Sequence, residues 1–580
     1  MRQRIFLTFF LSVALAAGLL AAESPPPQVR WQFNVPVRLR DGVTLAAHVF
    51  LPLKEGRYPV ILIRSPYGKE ISQGDAVFFA ERGYVVVVQD TRGRFDSEGE
   101  WNAFCNEAKD GHDTIEWAAK QPWSNGKVVT YGGSYLAIDQ WLAATQGSKH
   151  LAAMAVLMGP ADLYPGTFYS GGAFQFGTAL TWSVGQGRHT PLTEGMKLIP
   201  WPELFRRLPV ESAAAAAGFE PQVYRDWIDH PARDAYWQSM SWREAYPQLA
   251  IPVMHVGGWF DIFQKGTVEN FVKMRTEAPA VARGSQRLIM GPWAHGAFGP
   301  KVGEVDFGPQ SVVDVRAKVL RWLDHHIRGE QNGADRDPPV EIFVMGVNQW
   351  RTEKTWPPVE AKPSKYFLHS QGKANTLDGD GLLSLADPGD EVVDQFDYDP
   401  ANPVPTSGGG TCCAPQLIPW GPQDQRNVEK RNDVLVYTTA PLERDLEVTG
   451  PVEVHLFAST SARDTDWTAK LVDVAPDGMA ISLTDGILRA RYRNSLERPE
   501  LLTPGKVYEF VIDAENTSNV FLKGHRVRLE ISSSSFPRFS RNTNTGNHPE
   551  KDSTFAVAHQ TIYHDRTRPS SVSLSVRTSR

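Results

Sequence analysis

Cysteine is nearly absent: three in 580 residues, Cys105 and the adjacent pair Cys412 and Cys413. That scarcity excludes a disulfide-dense scaffold and any metal site built from several thiolates. One pair is free to oxidise in an exported chain, and the sequence does not choose it. Adjacent cysteines are poorly placed to chelate zinc, so Thr411-Cys412-Cys413 reads as a loop or packing segment. Long basic runs are also missing and the formal net charge is −6. The chain therefore has no electrostatic footprint for phosphate backbones or anionic lipid surfaces, and nucleic-acid partners are discounted. Past the N-terminus, apolar stretches are short and broken by charge, glycine or proline, so no stable membrane span is expected. The carboxylates of Asp90-Thr91-Arg92-Gly93-Arg94 and Asp96-Ser97-Glu98-Gly99 match the spacing of neither a calcium loop nor a P-loop and read as a structural loop. No internal repeat, metal site or cofactor motif is found, and oligomeric state leaves no trace.

What is present is an ordinary globular composition, 41% hydrophobic, 22% charged and 11% aromatic, long enough for two or three domains. Arg2 and Arg4 precede an apolar run over 5–20, followed by Ala21-Ala22-Glu23 and Ser24-Pro25-Pro26-Pro27. Residues 1–22 read as a cleaved signal peptide, which sends the chain to the periplasm or the medium. The run is short for a membrane anchor, and no cysteine follows to accept a lipid.

From about 28 to 158 strand-like runs (58–63, 84–88, 127–130, 151–158) alternate with helical patterns (109–120, 137–145), the logic of a mostly parallel sheet with crossover helices. Residues 159–247 are aromatic, glycine-rich and then helical, and read as an inserted cap. The sheet pattern resumes at 251–256 and 287–290 and closes with a helix over 312–328, giving a second catalytic-domain segment over 248–350. Over 351–580, short alternating strands such as 434–437, 452–457 and 526–531, separated by turn residues, indicate an all-β sandwich.

Chemistry concentrates at Val128-Val129-Thr130-Tyr131-Gly132-Gly133-Ser134-Tyr135-Leu136-Ala137, where a strand enters a helix across a tight glycine turn. This is the setting of a nucleophile elbow, although Leu136 breaks the strict G-x-S-x-G pattern. The order Ser, acid, His is completed by Asp261 and His295, each placed just after an expected strand; no other histidine has that context. In this reading Ser134 attacks, His295 takes its proton and Asp261 orients the imidazole. Oxyanion donors are the N–H of Tyr135 and the phenol of Tyr67, which follows an early strand in Ile63-Arg64-Ser65-Pro66-Tyr67-Gly68; the Tyr67 phenol reads equally as packing. Aromatics over 168–182 line a substrate entrance or the cap core.

At these residues the chain resembles the cocaine-esterase-like (CocE/NonD) hydrolases, relatives of X-Pro dipeptidyl peptidases and α-amino-acid ester hydrolases. The resemblance is carried by Arg64-Ser65-Pro66-Tyr67-Gly68, Gln89-Asp90-Thr91-Arg92-Gly93, Gly133-Ser134-Tyr135-Leu136, Gly258-Trp259-Phe260-Asp261 and Gly291-Pro292-Trp293-Ala294-His295. His230-Pro231 with Asp234 and Tyr236-Trp237, and Phe536-Pro537-Arg538-Phe539 with Arg541-Asn542, are also family-like. It implies an α/β-hydrolase domain with a helical cap and a C-terminal jelly-roll (galactose-binding-like) domain, a Ser134–Asp261–His295 triad, and Tyr67 with Tyr135 at the oxyanion. It also implies an acyl pocket with Phe263, to which Trp259 and Trp293 are added as pocket candidates. The α-amino-acid ester hydrolases carry carboxylates two and three residues after the acid to hold a substrate ammonium; here those positions are Phe263 and Gln264, which suits a neutral or apolar acyl group.

The expected function is hydrolysis of a small ester or amide through an acyl-enzyme, without a cofactor. Within hydrolases the alternative is a dipeptidyl peptidase or β-lactam acylase, which needs a carboxylate pair aimed at the substrate amine. Outside them it is an idle fold whose sandwich domain binds carbohydrate, against which the complete triad argues.

Overall fold

Four consecutive valines, Val85 to Val88, open a strand in which every residue is buried. β-Branched side chains fit a pleated surface covered on both faces, so such a run belongs at the centre of a parallel sheet. The computed structural model describes residues 28–577 except 188 and 193; the leader expected over 1–22 lies outside the described residues.

Ten strands make the first sheet: β1 Val29–Arg38, β2 Thr44–Pro52, β3 Tyr58–Ser65, β4 Val85–Asp90, β5 Ser124–Gly133, β6 Leu151–Leu157, β7 Val253–Phe260, β8 Arg287–Ala294, β9 Val340–Val344 and β10 Gln349–Glu353. Their spatial order is β1-β2-β4-β3-β5-β6-β7-β8-β9-β10. The pairs from β4–β3 through β8–β9 are parallel, and antiparallel strands close both edges. Helices α1 Gln73–Ala80, α2 Glu107–Ala119 and α3 Tyr135–Ala144 follow β3, β4 and β5. Between β6 and β7 the chain leaves the sheet and forms α4 Phe176–Gln186, α5 Gln222–Asp229 and several shorter helices. α6 Gln264–Thr276 and α7 Val315–Arg328 follow β7 and β8.

The last helix begins three residues later than its apolar period suggests. Asp314 caps it, its carboxylate accepting from Ala317 N at 3.0 Å, and Gly329 ends it in the left-handed region at φ 75°. A capping carboxylate outweighs a continuing apolar stripe, so Val312 is left extended and half-exposed.

Beyond β10, twelve strands from Ala361–His369 to Ser571–Arg577 form one hydrogen-bonded set, with no α-helix among the described residues. The expected strand at 452–457 is part of a longer one, Leu446–Thr460, because Gly450-Pro451 is absorbed at a register shift against Tyr508–Phe521.

The two sheets are not separate bodies. One hydrophobic cluster runs from Trp259 and Met290 of the first, with Phe271 of α6 packed on it, to Leu456, Phe510 and Ile512 of the second. The family-like segments at 230–237 and 536–542 are joints. His230 stacks on Tyr236 at 4.3 Å and pairs at 2.6 Å with Asp234, which caps the turn Ala235–Gln238. Arg541 donates to the Arg206 carbonyl at 2.8 Å, tying the all-β domain to the inserted helices. Asn542 donates to Asp464 and Asp466, and Asp466 holds the buried Arg489 at 2.9 Å.

Because Trp259 stands in the shared cluster, Trp259→Ala is expected to cost about 3–5 kcal/mol. Urea unfolding followed by tryptophan fluorescence and far-UV circular dichroism checks it. The two probes should fall together at a lower midpoint; two separated transitions would show that the cluster does not couple the domains.

Candidate active site

Ser134 lies between β5 and α3 with φ 62° and ψ −122°, a backbone conformation that non-glycine residues adopt only when held. Two restraints hold it. Its N–H is shared between the carbonyls of Leu157 (3.1 Å) and Met158 (3.2 Å) at the end of β6. Behind it, Gly132 has φ 147°, and a Cβ there would meet the Leu136 Cβ at 2.6 Å. Leu136, which breaks the strict motif, thus fills the space over Gly132 and makes a glycine obligatory there.

The residue after the serine is anchored from below. The Tyr135 hydroxyl donates to Glu107 Oε1 at 2.8 Å and accepts from Phe104 N at 3.0 Å. Glu107 is paired at 2.7 Å with Arg64, both buried, and Arg64 donates to Gln89 at 2.9 Å. Burial and the Glu107 charge keep the Tyr135 phenol protonated, well above the ordinary tyrosine range. As the first residue of α3, Tyr135 has a backbone N–H with no intrahelical acceptor, so it is available at the elbow.

Tyr67 follows β3 and is held by charged neighbours. Lys69 bonds Asp90 through both its backbone N–H and its Nζ at 2.7 Å, and Arg94 donates to the Pro66 carbonyl at 2.7 Å. Arg92 is bound by Asp110 at 2.7 Å and Asp41 at 2.8 Å. The charged loop after β4 is therefore a brace for Tyr67, with Asp90 and Asp96 engaged by Lys69 and Glu98 by the Thr44 N–H. The Tyr67 oxygen accepts from Trp182 Nε1 at 3.1 Å, and Trp182 and Ser134 both favour its ionised form. Burial raises its pKa more than these bonds lower it, so the phenol keeps a proton to donate.

Asp261 and His295 follow β7 and β8, the next two parallel strands beyond β6, and emerge at the same sheet edge as Ser134. His295 Nδ1 meets Asp261 Oδ1 at 2.7 Å and Nε2 meets Ser134 Oγ at 2.9 Å. Asp261 is fully buried. With Nδ1–H donated to the carboxylate, Nε2 is left to accept from the serine hydroxyl. A cleft of about 720 Å³ opens onto Ser134 and His295; its walls include Leu136, Leu157, Met158 and Phe298. Asp75 and Arg316, paired at 3.6 Å, are among its lining residues. A second cavity, about 610 Å³ and walled by Arg233, Arg243, Lys265 and Glu269, does not include Ser134.

Two pocket candidates are corrected. Trp259 and Trp293 precede the acid and the histidine by two residues, but both are buried in the core. Trp259 Nε1 donates to the Phe343 carbonyl at 2.7 Å and Trp293 Nε1 to the Ser311 carbonyl at 3.1 Å. Phe263 stands edge-on to the His295 ring at 5.3 Å. Glu107, Arg64 and Trp182 are not marked as site residues by the sequence: Glu107 opens an amphipathic helix, Arg64 is the charged residue of the buried β3, and Trp182 is one aromatic among several.

With this geometry in view, similarity to known proteins decides the assignment. Residues 41–297 match the model of the X-Pro dipeptidyl-peptidase (S15 family), and residues 332–573 match the X-Pro dipeptidyl-peptidase C-terminal non-catalytic domain. The chain is 39% identical to the cocaine esterase of Rhodococcus sp. over 537 residues, covering 88% of this chain and 92% of that one. The chain belongs to the CocE/NonD family of serine hydrolases. Among solved structures, an aminopeptidase from a marine sediment Thaumarchaeota archaeon superposes with a TM-score of 0.84 at 26% identity, covering 98% of this chain and 100% of that one. An α-amino acid ester hydrolase does so with a TM-score of 0.82 at 26% identity and the same coverage. The α/β-hydrolase fold with a C-terminal all-β domain is thus common to this CocE/NonD hydrolase and its relatives.

Gly132→Ala tests the elbow. The added methyl must displace Leu136, at a cost of about 1–3 kcal/mol of overpacking. Urea midpoint and p-nitrophenyl acetate turnover should drop together in Gly132→Ala, because the methyl meets Leu136 and the positive φ strains any side chain there. An unchanged midpoint would mean that neither demands a glycine.

Proposed function

We propose that the protein is an esterase that cleaves small neutral esters through an acyl-enzyme on Ser134, with His295 as general base and Asp261 as its orienting acid. The observation that carries this is the continuous hydrogen-bonded line Asp261–His295–Ser134, at 2.7 and 2.9 Å, ending in an apolar cleft. Ser134 Oγ attacks the ester carbonyl as its proton passes to Nε2, and the buried Asp261 stabilises the imidazolium. The oxyanion takes hydrogen bonds from the Tyr67 phenol and the Tyr135 N–H. Collapse expels the alkoxide, which takes the proton back from Nε2; a water then repeats the cycle on the acyl-enzyme. The cleft opens onto His295, whose imidazolium must protonate the leaving oxygen, so the cleft suits the alcohol portion.

The name of the Rhodococcus relative supports an ester substrate. The aminopeptidase neighbour and the dipeptidyl-peptidase family models favour a peptide instead, and that reading requires a carboxylate for the substrate ammonium. The carboxylates among the cleft residues are Asp75 and Asp314. Asp75 faces Arg316 and Asp314 is engaged in capping α7. Beside the acid, Phe263 has no charge and Gln264 donates to the Asn516 carbonyl.

Export fits the same reading, since a disulfide between Cys412 and Cys413 persists in oxidising compartments. N-terminal sequencing of the mature protein should find a start shortly after residue 22; recovery of an intact Met1 would oppose export.

Ser134→Ala should abolish turnover of p-nitrophenyl esters, and Tyr67→Phe should lower kcat by about 10²–10³-fold with little change in KM. Turnover is measured on that ester series beside Gly-Pro and phenylglycyl amides. Faster cleavage of the amine-bearing amides would transfer the assignment to a peptidase or acylase. Full activity in Ser134→Ala would remove the triad altogether.

A further inference from the structure

A loop from the all-β domain reaches the flank of the triad acid. Its base is closed by two hydrogen bonds between Gly409 and Gly421, at 2.9 and 3.0 Å, so residues 410–420 project as one unit. At the near end, Gly410 lies so close to the catalytic segment that a Cβ there would stand 3.0 Å from the Asp261 carbonyl oxygen. At the far end, Ile418 is buried against Gly177 of α4, where a glycine Cβ would meet its Cδ1 at 2.1 Å. Between these anchors Cys412 and Cys413 are joined by a disulfide. Cys412 is buried in a small apolar cluster with Ile262 and Phe263, the two residues after Asp261. Cys413 is exposed, with φ 74°.

The chain of contact is short: disulfide to Phe263, and Phe263 edge-on to the imidazole of His295 at 5.3 Å. His295 is otherwise held by one bond to Asp261 and one to Ser134. An imidazole fixed by two bonds along one axis still tilts about that axis unless something packs on its side, and Phe263 supplies that packing. A disulfide between adjacent residues closes a small ring and removes backbone freedom from the residues that back Phe263.

We propose that the Cys412–Cys413 disulfide is a positioning element for His295, acting through Phe263, and that the exposed Cys413 makes it addressable by external thiols. The inference rests on the triad reading above. A dithiol reductant attacks Cys413 Sγ, breaking the S–S bond. The Cys412 sulfur leaves as a thiolate and takes a proton. The second thiol of the reductant then displaces Cys413, giving two protein thiols and the cyclic disulfide of the reductant. The Cys412–Phe263 contact is then loosened and His295 is less precisely held, while the oxyanion donors and the cleft are untouched. The expected signature is a fall in kcat at nearly constant KM.

The experiment uses the full chain, oxidised, then reduced with dithiothreitol and desalted, then reoxidised. Thiol titration in denaturant should rise from one per chain, Cys105, to three on reduction. Reduction should lower kcat about tenfold, inside the roughly 10²-fold cost of a 1 Å misplacement, and reoxidation should restore it. Cys412→Ser/Cys413→Ser should show the reduced kcat under all conditions and ignore dithiothreitol, and Phe263→Leu should remove most of the redox dependence. Three thiols in the oxidised preparation, or full kcat in reduced enzyme with three titratable thiols, would overturn the proposal. If the double variant fails to fold, the reduction and reoxidation cycle on the unaltered chain decides. Failure of the triad reading is a separate result, read from Ser134→Ala; a serine-dependent enzyme indifferent to reduction would leave that reading intact and remove only this one.

Discussion

The left-handed backbone at Ser134 is the constraint around which the molecule is arranged. A serine at φ 62° is costly, on the order of 1–3 kcal/mol, and it persists because the carbonyls at the end of β6 receive its N–H and because Leu136 and Gly132 leave it one packing solution. Those carbonyls exist only if β6 is in register with β5, and that register depends on the buried strands at the middle of the sheet. The helix that follows is then fixed by Tyr135 on Glu107 and by Glu107 on Arg64. A buried ion pair of this kind is weak evidence for stability, since desolvation offsets much of its attraction. Its evident consequence is directional: it sets the rotation of α3, and with it the aim of the Tyr135 N–H.

Each group proposed to act in catalysis is supplied by a strand end, but its precision comes from elsewhere in the chain. Tyr67 is steadied by Asp90 and Arg94 after β4 and by Trp182 of the inserted helices. His295 is flanked by Phe263, and Phe263 by a loop of the all-β domain. The roles proposed for His295 and Tyr67, general base and oxyanion donor, demand placement within fractions of an ångström, and here each residue is fixed from two directions by segments remote in sequence.

That division explains what was legible in the sequence. The fold class was, because β-branched runs and their alternation with helical patterns report burial directly. Ser134, Asp261 and His295 were singled out because strand ends are where a parallel sheet exposes side chains, and the structure brings the three into one hydrogen-bonded line. Trp259 and Trp293 are near the acid and the histidine along the chain but not in space; each lies inside its strand, before the turn that exposes the acid or the histidine, and is retained by the core. The start of α7 was misplaced because Val312 continues the apolar stripe, whereas a single carboxylate two residues on decides the boundary. Glu107, Arg64 and the disulfide's contact with Phe263 had no signal to find: each owes its place to pairings between residues far apart in sequence.

The hydrophobic cluster shared by the two sheets bears on how the chain is made. Trp259, Phe271 and Met290 are synthesised well before the strands that cover them, Leu446–Thr460 and Tyr508–Phe521. For much of translation, and of any passage across a membrane in an extended state, the first sheet carries an uncovered apolar flank next to its acid strand. Such a surface invites aggregation until the C-terminal half arrives. A truncated product that stops before residue 446 would therefore be a sticky, incompletely enclosed domain rather than a smaller enzyme, and quality-control proteases and chaperones would meet this protein chiefly in that form.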